Sequence, residues 1–360
     1  MDAEAEGGDA GSAPVRASGG GSGGKARRRT PVMGDVAALA GVSQMTVSRV
    51  INERPGVGDQ TRARVLAAMR ELDYHPNVAA RALVTGRSKT LGVISFDTTL
   101  YGPASTLYGI EVAARSAGYF VSIATLRTLN RRSMGEAFGR LREQSVDGVV
   151  VIAPHESAVD GLRSLAFDLP VVAVEGGVGG GVPVVAVDQH TGASRATQHL
   201  LSLDHDTVWH IAGPGDWLEA GARRDAWRQT LLLSRREPPP VLVGDWSARS
   251  GYHHGRTLAR RGEATAIFVA NDQMALGVLR ALKEAGLDVP GDVSVVGFDD
   301  VPEAAYFIPP LTTVRQDFAA VGRHSLEVLL EQVEGGPPRA DPVVIEPDLV
   351  LRESTGRPTG

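Results

Sequence analysis

From Thr90 onward, short β-rich apolar runs alternate with helix-patterned stretches, and no other feature of the sequence narrows its fold as far. The runs are Leu91–Ser95, Phe120–Ala124, Gly148–Ile152, Val171–Val174, Val184–Val187, Val208–Ala212, Val241–Val243, Ala266–Ala270 and Val293–Gly297. Continuous rather than alternating apolar residues imply strands buried on both faces, and the intervening helices supply the covers of parallel sheets. Nine such runs are many for one sheet, so two subdomains are expected. The βα rhythm carries no true sequence repeat. With 42% hydrophobic residues the chain can build a sizeable core, and no apolar stretch approaches the length of a membrane helix.

Charge is segregated along the 360 residues. The formal net charge of -5 hides a net of -3 over residues 1–24, +7 over 25–90 and -9 over 91–360. A compact basic module attached to an acidic body is the pattern expected when one end meets a polyanion. A solvated basic face is the plainer reading of the same numbers. The absence of cysteine excludes disulfides, thiolate metal sites and cysteine nucleophiles and fits a reducing cytoplasm. Residues 1–24 are rich in Gly, Ala and Ser, without the apolar run of a secretory signal. They read, with the basic arm up to residue 29, as a disordered tail.

Within the basic module, Asp35–Asn52 patterns as two short helices broken at Gly41. Thr30 and Pro31 offer a cap and a first-turn proline to the first helix, which turns Val36, Leu39 and Ala40 to one side. Ser43 can cap the second. At about 100° per residue, Gln44, Met45, Ser48 and Arg49 share one face of that helix, and Val47, Val50 and Ile51 the other. An amide, a hydroxyl and a guanidinium on one face are the groups that read base edges in a major groove. A third helix, from Asp59 to Leu72, would pack through Val65, Leu66, Met69 and Leu72, completing a helix-turn-helix. A ligand-free three-helix bundle would show the same periodicity.

The runs Asp35-Val-Ala, Gly41-Val-Ser, Thr46-Val-Ser-Arg-Val-Ile-Asn52 and Leu72-Asp-Tyr-His-Pro-Asn77 closely resemble the headpiece of the LacI/GalR family of transcriptional regulators. The resemblance implies that Gln44, Met45 and Arg49 contact operator bases, and that Ser43, Thr46, Ser48, Asn52 and Thr61 contact or position against phosphates. It departs at Val32, where Thr is usual, so that Thr30 is expected to cap, and at Gly58, where Ser or Thr is usual. Residues 77–85 are too few for a helix stable alone in water. The family implies a hinge helix that forms on DNA, with Asn77 and Ala80 on it and Leu83 wedged into the minor groove.

No phosphate loop, H-E-x-x-H motif or G-x-S-x-G elbow is present, so no enzyme is expected. Gly176–Gly181 leads into a strand instead of a helix and cannot aim a helix terminus at a pyrophosphate. His253-His254 and His205 with His210 read as solvated, and no metal or cofactor is expected. Trp246, Asn271 and Asp299 follow strand ends, where ligands of parallel sheets bind, and Arg223 follows the Gly213-Pro-Gly-Asp216 loop. Singly, Asn and Asp at such junctions read as helix caps; together with an indole and a guanidinium they suit a sugar.

The family resemblance extends over about residues 90–354, through Gly244-Asp-Trp-Ser-Ala248, Val269-Ala-Asn-Asp-Gln273 and Ser294-Val-Val-Gly-Phe-Asp-Asp300. It implies that Arg223, Asn271 and Asp299 hold sugar hydroxyls and that Trp246 and Phe318 stack. By the same resemblance Gln316 bonds and Leu100 and Thr106 line the apolar side. Glu175 and Trp217 join this set although their side chains depart from the pattern; Ile152 and Glu219 are further departures outside it.

The expected architecture is therefore α/β: an N-terminal three-helix helix-turn-helix headpiece plus hinge helix, then a two-subdomain periplasmic-binding-protein-like body with parallel sheets. The divisions are 1–29 (tail and arm), 30–76 (DNA-binding domain), 77–90 (hinge and linker) and 91–354 (effector and dimerisation domain). Within the last, one subdomain takes about 91–187 and 318–345, the other about 188–317 and 346–354. The implied protein is a cytoplasmic, nucleoid-associated homodimer on a palindromic operator, released by a small sugar. A ligand that strengthens DNA binding is the alternative.

Overall fold

A computed structural model describes residues 31–52, 54–75, 86–126, 128, 130–163, 165, 168–175 and 181–358. The tail and arm, Thr30, the hinge positions Asn77, Ala80 and Leu83, and most of the Gly176–Gly181 loop lie outside the described residues. The chain divides into two compact units, residues 1–80 and 81–360.

The first unit contains α1 (Met33–Ala40), α2 (Gln44–Ile51) and α3 (Asp59–Glu71). Its core is Val36, Ala37, Ala40, Val47, Val50, Val65, Ala68 and Tyr74. Gly41 ends α1 at φ +65°, in the left-handed region that a side chain would resist, and α2 begins three residues later. The Ser43 hydroxyl caps α2 by accepting the Thr46 N–H at 3.2 Å.

Three expectations for this unit are corrected. Helix α1 starts at Met33 with Val32 in the cap position, so Pro31 precedes the first turn. Val32 has no side-chain acceptor to offer; instead its own N–H donates to Asp35 Oδ2 at 2.8 Å. Leu39 and Leu66 are 47% and 43% exposed, because Val36 with Ala40 and Val65 with Ala68 fill the narrow interior that the two leucines were expected to share. Gly58 caps α3 without a side-chain hydrogen bond.

The second unit carries two six-stranded sheets. The first is built from β1 (Thr90–Phe96), β2 (Phe120–Leu126), β3 (Gly148–Ile152), β4 (Val171–Val174) and β5 (Val184–Val187), with a late edge strand β11 (Val343–Ile345). Its order is β2-β1-β3-β4-β5-β11, parallel throughout. The second contains β6 (Trp209–Ala212), β7 (Leu242–Val243), β8 (Ala266–Val269), β9 (Ser294–Asp299), β10 (Thr312–Arg315) and β12 (Asp348–Val350). Its order is β7-β6-β8-β9-β10-β12, with only β12 antiparallel. Both orders reverse direction beside the first strand, between β1 and β3 and between β6 and β8. This is the switch point at which a doubly wound sheet opens a crevice at its strand C-termini.

The helices are α4 (Tyr101–Ser116), α5 (Arg131–Glu143), α6 (Glu156–Arg163), α7 (Gln189–Ser202), α8 (Leu218–Leu233), α9 (Ala248–Arg261), α10 (Asp272–Glu284) and α11 (Phe318–Val333). They cover both faces of each sheet and account for the uninterrupted burial of β3, β4, β6, β8 and β9. The chain passes between sheets three times. It leaves β5 for α7, which packs on the second sheet, leaves β10 for α11, which packs on the first, and runs from β11 to β12. The crossing points are therefore Asp188–Gln189, Gln316–Asp317 and Glu346–Pro347.

His205 and His210, expected in solvent, are buried. His205 bonds Thr265 at 3.0 Å and Ser294 at 3.1 Å. His210 bonds the Phe268 carbonyl at 2.9 Å and stacks on that ring with centroids 4.7 Å apart. Burial pushes its imidazole down to about 4, so it stays neutral. Among the described residues, no helix is long and apolar enough to cross a membrane.

Candidate functional site

The face of α2 expected to read bases is laid out in solvent. Gln44 and Arg49 are exposed, Met45 is 69% exposed, and Thr46 and Ser48 are partly exposed. Asn52 follows the helix and donates through Nδ2 to the Ser48 carbonyl at 2.8 Å, which fixes its amide at the end of the same helix. Ser43 stands at the N-terminus, its hydroxyl 3.0 Å from that of Thr46. Thr61 is partly buried in the first turn of α3. Every one of these groups is held by backbone that the small core of this unit fixes, and the reading side chains are left free of competing contacts within their helix.

In the second unit, Leu100, Thr106, Glu175, Trp217, Arg223, Trp246, Asn271, Asp299, Gln316 and Phe318 all line one cavity of about 100 Å³. They reach it from the C-terminal ends of strands of both sheets: Leu100 after β1, Glu175 after β4, Trp217 after β6 and Trp246 after β7. Asn271 follows β8, Asp299 ends β9, and Gln316 follows β10. Tyr101, Ile152, Glu219 and Gln273 also line the cavity.

Two indoles form one corner of it, Trp217 and Trp246, with centroids 5.5 Å apart and planes at 74°. A Cβ on Gly213 would lie 2.2 Å from the Trp246 ring, so only glycine lets the indole rest on that loop. Tyr101 and Phe318 meet edge to face at 5.8 Å on another side. Glu175, Trp246 and Asp299, three residues of the cavity lining, each hold positive φ, at +62°, +70° and +110°.

The floor is polar and buried. Arg223 is 2% exposed, with its guanidinium 3.8 Å from the Phe298 ring centroid. Its Nη1 donates to the Ala270 carbonyl at 2.6 Å and its Nε to Gln189 Oε1 at 2.8 Å. Gln316 Nε2 donates to Asp299 Oδ1 at 2.6 Å. Asn271 does two things at once. Its Oδ1 accepts the Met274 N–H at 2.9 Å and caps α10, while Nδ2 donates to the Trp246 carbonyl at 3.1 Å. The expected capping role of Asn271 is therefore present, and the residue also lines the cavity.

Three carboxyls surround this single guanidinium. Burial pushes Asp299 up to about 6, against the pull of Arg223 and Gln316. Glu175, whose Oε1 accepts the Val187 N–H at 2.9 Å, is raised to about 7 by burial. Glu219 is raised to about 8 by burial and then by the neighbouring charge of Glu175. Glu175 and Glu219 retain some exposure to the cavity itself, but protein encloses them on the other sides. Such carboxyls can donate as well as accept, which suits ligand hydroxyls.

The residue that sequence reasoning passed over is Gln189. It is buried, and its amide bonds Arg223, Gln316 and Glu175. Its only sequence signal is its place directly after Asp188, the cap of α7.

A helix-turn-helix unit joined to a two-sheet body with a cleft at its strand ends defines a class, the DNA-binding transcriptional regulators with an effector-binding domain of periplasmic-binding-protein type. Residues 32–77 match the family of bacterial regulatory proteins named for lacI, and residues 197–355 match a periplasmic binding protein-like domain. The lactose operon repressor of Escherichia coli strain K12 is 34% identical, the match covering 90% of each chain. The regulator CelR of Thermobifida fusca is 36% identical over 91% of this chain and 99% of its own. A crystal structure of the lac repressor dimer bound to operator and the anti-inducer ONPF superposes with a TM-score of 0.80 at 33% identity, covering 91% of this chain and all of that one. A complex of CelR with cellobiose gives 0.67 at 33% identity, covering 90% and 99%. The chain belongs to the lacI family of bacterial regulatory proteins.

Proposed function

We propose that the protein is a cytoplasmic repressor that binds a palindromic operator as a homodimer and is released from it by a small sugar or glycoside. The observation that carries this reading is the cavity. Ten side chains scattered from Leu100 to Phe318 converge there, combining apolar ring walls with a buried guanidinium, amides and carboxyls. Indole faces bury the C–H faces of a pyranose, and the polar floor takes its hydroxyls in charge-assisted hydrogen bonds. Gln44, Met45 and Arg49 read the operator bases. Ser43, Thr46, Ser48, Asn52 and Thr61 meet or position against phosphates, and Asn77, Ala80 and Leu83 form the hinge contact. The lactose operon repressor and the CelR–cellobiose complex among the relatives make galactosides and glucosides the first candidates.

The test is a gel-shift titration of operator DNA with a panel of mono- and disaccharides. One sugar should displace the protein, and Arg223→Ala should bind DNA normally while needing at least about tenfold more of that sugar, the loss expected for a buried charged hydrogen-bond donor. A sugar that tightens operator binding would overturn release as the mode of action. Retention of the wild-type sugar response in Arg223→Ala would remove the cavity floor from the ligand site.

A further inference from the structure

Four buried side chains at the cavity floor form a closed ring. Arg223 Nε donates to Gln189 Oε1 at 2.8 Å, and Gln189 Nε2 donates to Gln316 Oε1 at 2.9 Å. Gln316 Nε2 donates to Asp299 Oδ1 at 2.6 Å, and Asp299 Oδ1 lies 3.9 Å from Arg223 Nη2, closing the circuit. The ring has only one polarity. A guanidinium has no acceptor, so the Gln189 oxygen must face it, and a carboxylate accepts, so the Gln316 nitrogen must face Asp299. Both amide orientations are thereby fixed from the two charged ends. The second Gln189 N–H points toward Glu175 Oε2 at 3.4 Å, which ties the ring to the end of β4 in the other sheet.

The two amides stand at two of the three points where the chain crosses between sheets, Gln189 after Asp188 and Gln316 before Asp317. Arg223, Asp299 and Gln316 line the cavity, whereas Gln189 does not. A ligand hydroxyl that takes a bond from Arg223 or Asp299 competes with a ring member. Because both amides are held in one orientation, such a disturbance passes through them to the crossovers. A side chain that touches no ligand yet bonds both the ligand-facing guanidinium and the second crossover is placed to transmit, not to bind.

We infer that Gln189 is a positioning residue that couples occupancy of the cavity to the relative setting of the two sheets, and so to operator release. The inference rests on the effector reading given above. Coupling is measured as the ratio of operator affinities without and with saturating sugar. Gln189→Met keeps the volume and removes all three hydrogen bonds. In the full-length variant this ratio should fall at least tenfold toward one. Sugar affinity of the DNA-free protein, followed by the fluorescence of Trp217 and Trp246, should stay within about threefold of wild type.

A wild-type ratio in Gln189→Met, or a loss of response matched by an equal loss of sugar affinity, would overturn the coupling role. If no saccharide binds the wild type, the effector reading fails by itself. The ring is then judged without ligand, by hydrogen exchange at residues 187–190 and 315–318. Faster exchange at both segments in Gln189→Met supports a tie between the crossovers, and unchanged exchange overturns it.

Discussion

The two units of the chain solve opposite problems with similar side chains. In the first, an amide, a thioether and a guanidinium (Gln44, Met45 and Arg49) stand in solvent on one helix of eight residues. In the second, a guanidinium, two amides and a carboxyl (Arg223, Gln316, Asn271 and Asp299) are buried and already held by hydrogen bonds to other protein groups. A duplex is large and brings its own charge, so its reader can leave polar groups in water until contact. A small ligand offers little area and must find polar groups already oriented and desolvated. The first unit therefore needs a small core that holds one helix, and the second needs a large scaffold that brings distant strand ends together.

That contrast is broken most severely in the scaffold. Trp227 is fully buried, and its Nε1 donates to the Val208 carbonyl at 2.8 Å. Trp227→Ala should destabilise the second unit by about 3–5 kcal/mol. In calorimetry this should appear as a lower transition temperature for the body. Survival of the wild-type transition would mean that α8 is not anchored through this ring.

Next in size is a pH effect confined to the cavity. Asp299, Glu175 and Glu219 bind protons more readily folded than unfolded, with values near 6, 7 and 8. The stabilising contribution of such raised groups is fully present below the ordinary carboxylate range. It is lost as pH rises through the folded values. Buried His210, its imidazole pushed down to about 4, opposes this up to the ordinary imidazole range, so the net fall in the melting temperature of the body should appear between about pH 6.5 and pH 8, a tenfold difference in proton affinity being worth about 1.4 kcal/mol at most. Glu219→Gln should flatten the upper part of that fall. A flat melting profile over this window in the wild type would show that the carboxyls are solvated.

How much of each region was legible follows from the same contrast. In α2 the reading face and the packing face are both local, so eight consecutive residues display them. In the body, Trp246, Asn271 and Asp299 were legible because parallel strands end at ligand sites, a rule that needs no contact map. Gln189 was not, because its partners lie 34 and 127 residues away and a single Gln at a helix start looks like a surface amide. The histidines misled for a related reason. His205 finds Thr265, Ser294 and Gly356 only after the sheet is assembled. The strands β10, β11 and β12 were missed because polar residues and proline interrupt their apolar character: β10 opens on two threonines and closes on Arg315, and β11 and β12 lie on either side of Glu346-Pro347.

On the exposed side the effects are smaller and should leave folding alone. Arg49→Ala should cost about 1–3 kcal/mol in operator affinity and relax selectivity at one base pair, with no change in the melting temperature of the first unit. Unchanged selectivity across a set of singly substituted operators would remove Arg49 from the reading face.

The smallest expected effect separates the two demands placed on one residue. Ser43 caps α2 and stands where a phosphate would meet the helix N-terminus. Ser43→Ala loses both roles and should cost about 1 kcal/mol of stability in addition to some affinity. Ser43→Asp keeps an acceptor for the Thr46 N–H and adds a negative charge that the helix dipole favours, so stability should hold or rise. The same charge repels a phosphate, so operator affinity should fall and its salt dependence become shallower. Denaturation without DNA and binding at two salt concentrations measure the two terms independently. If Ser43→Asp folds as well as wild type and binds operator as tightly, the start of α2 does not face the backbone of the duplex.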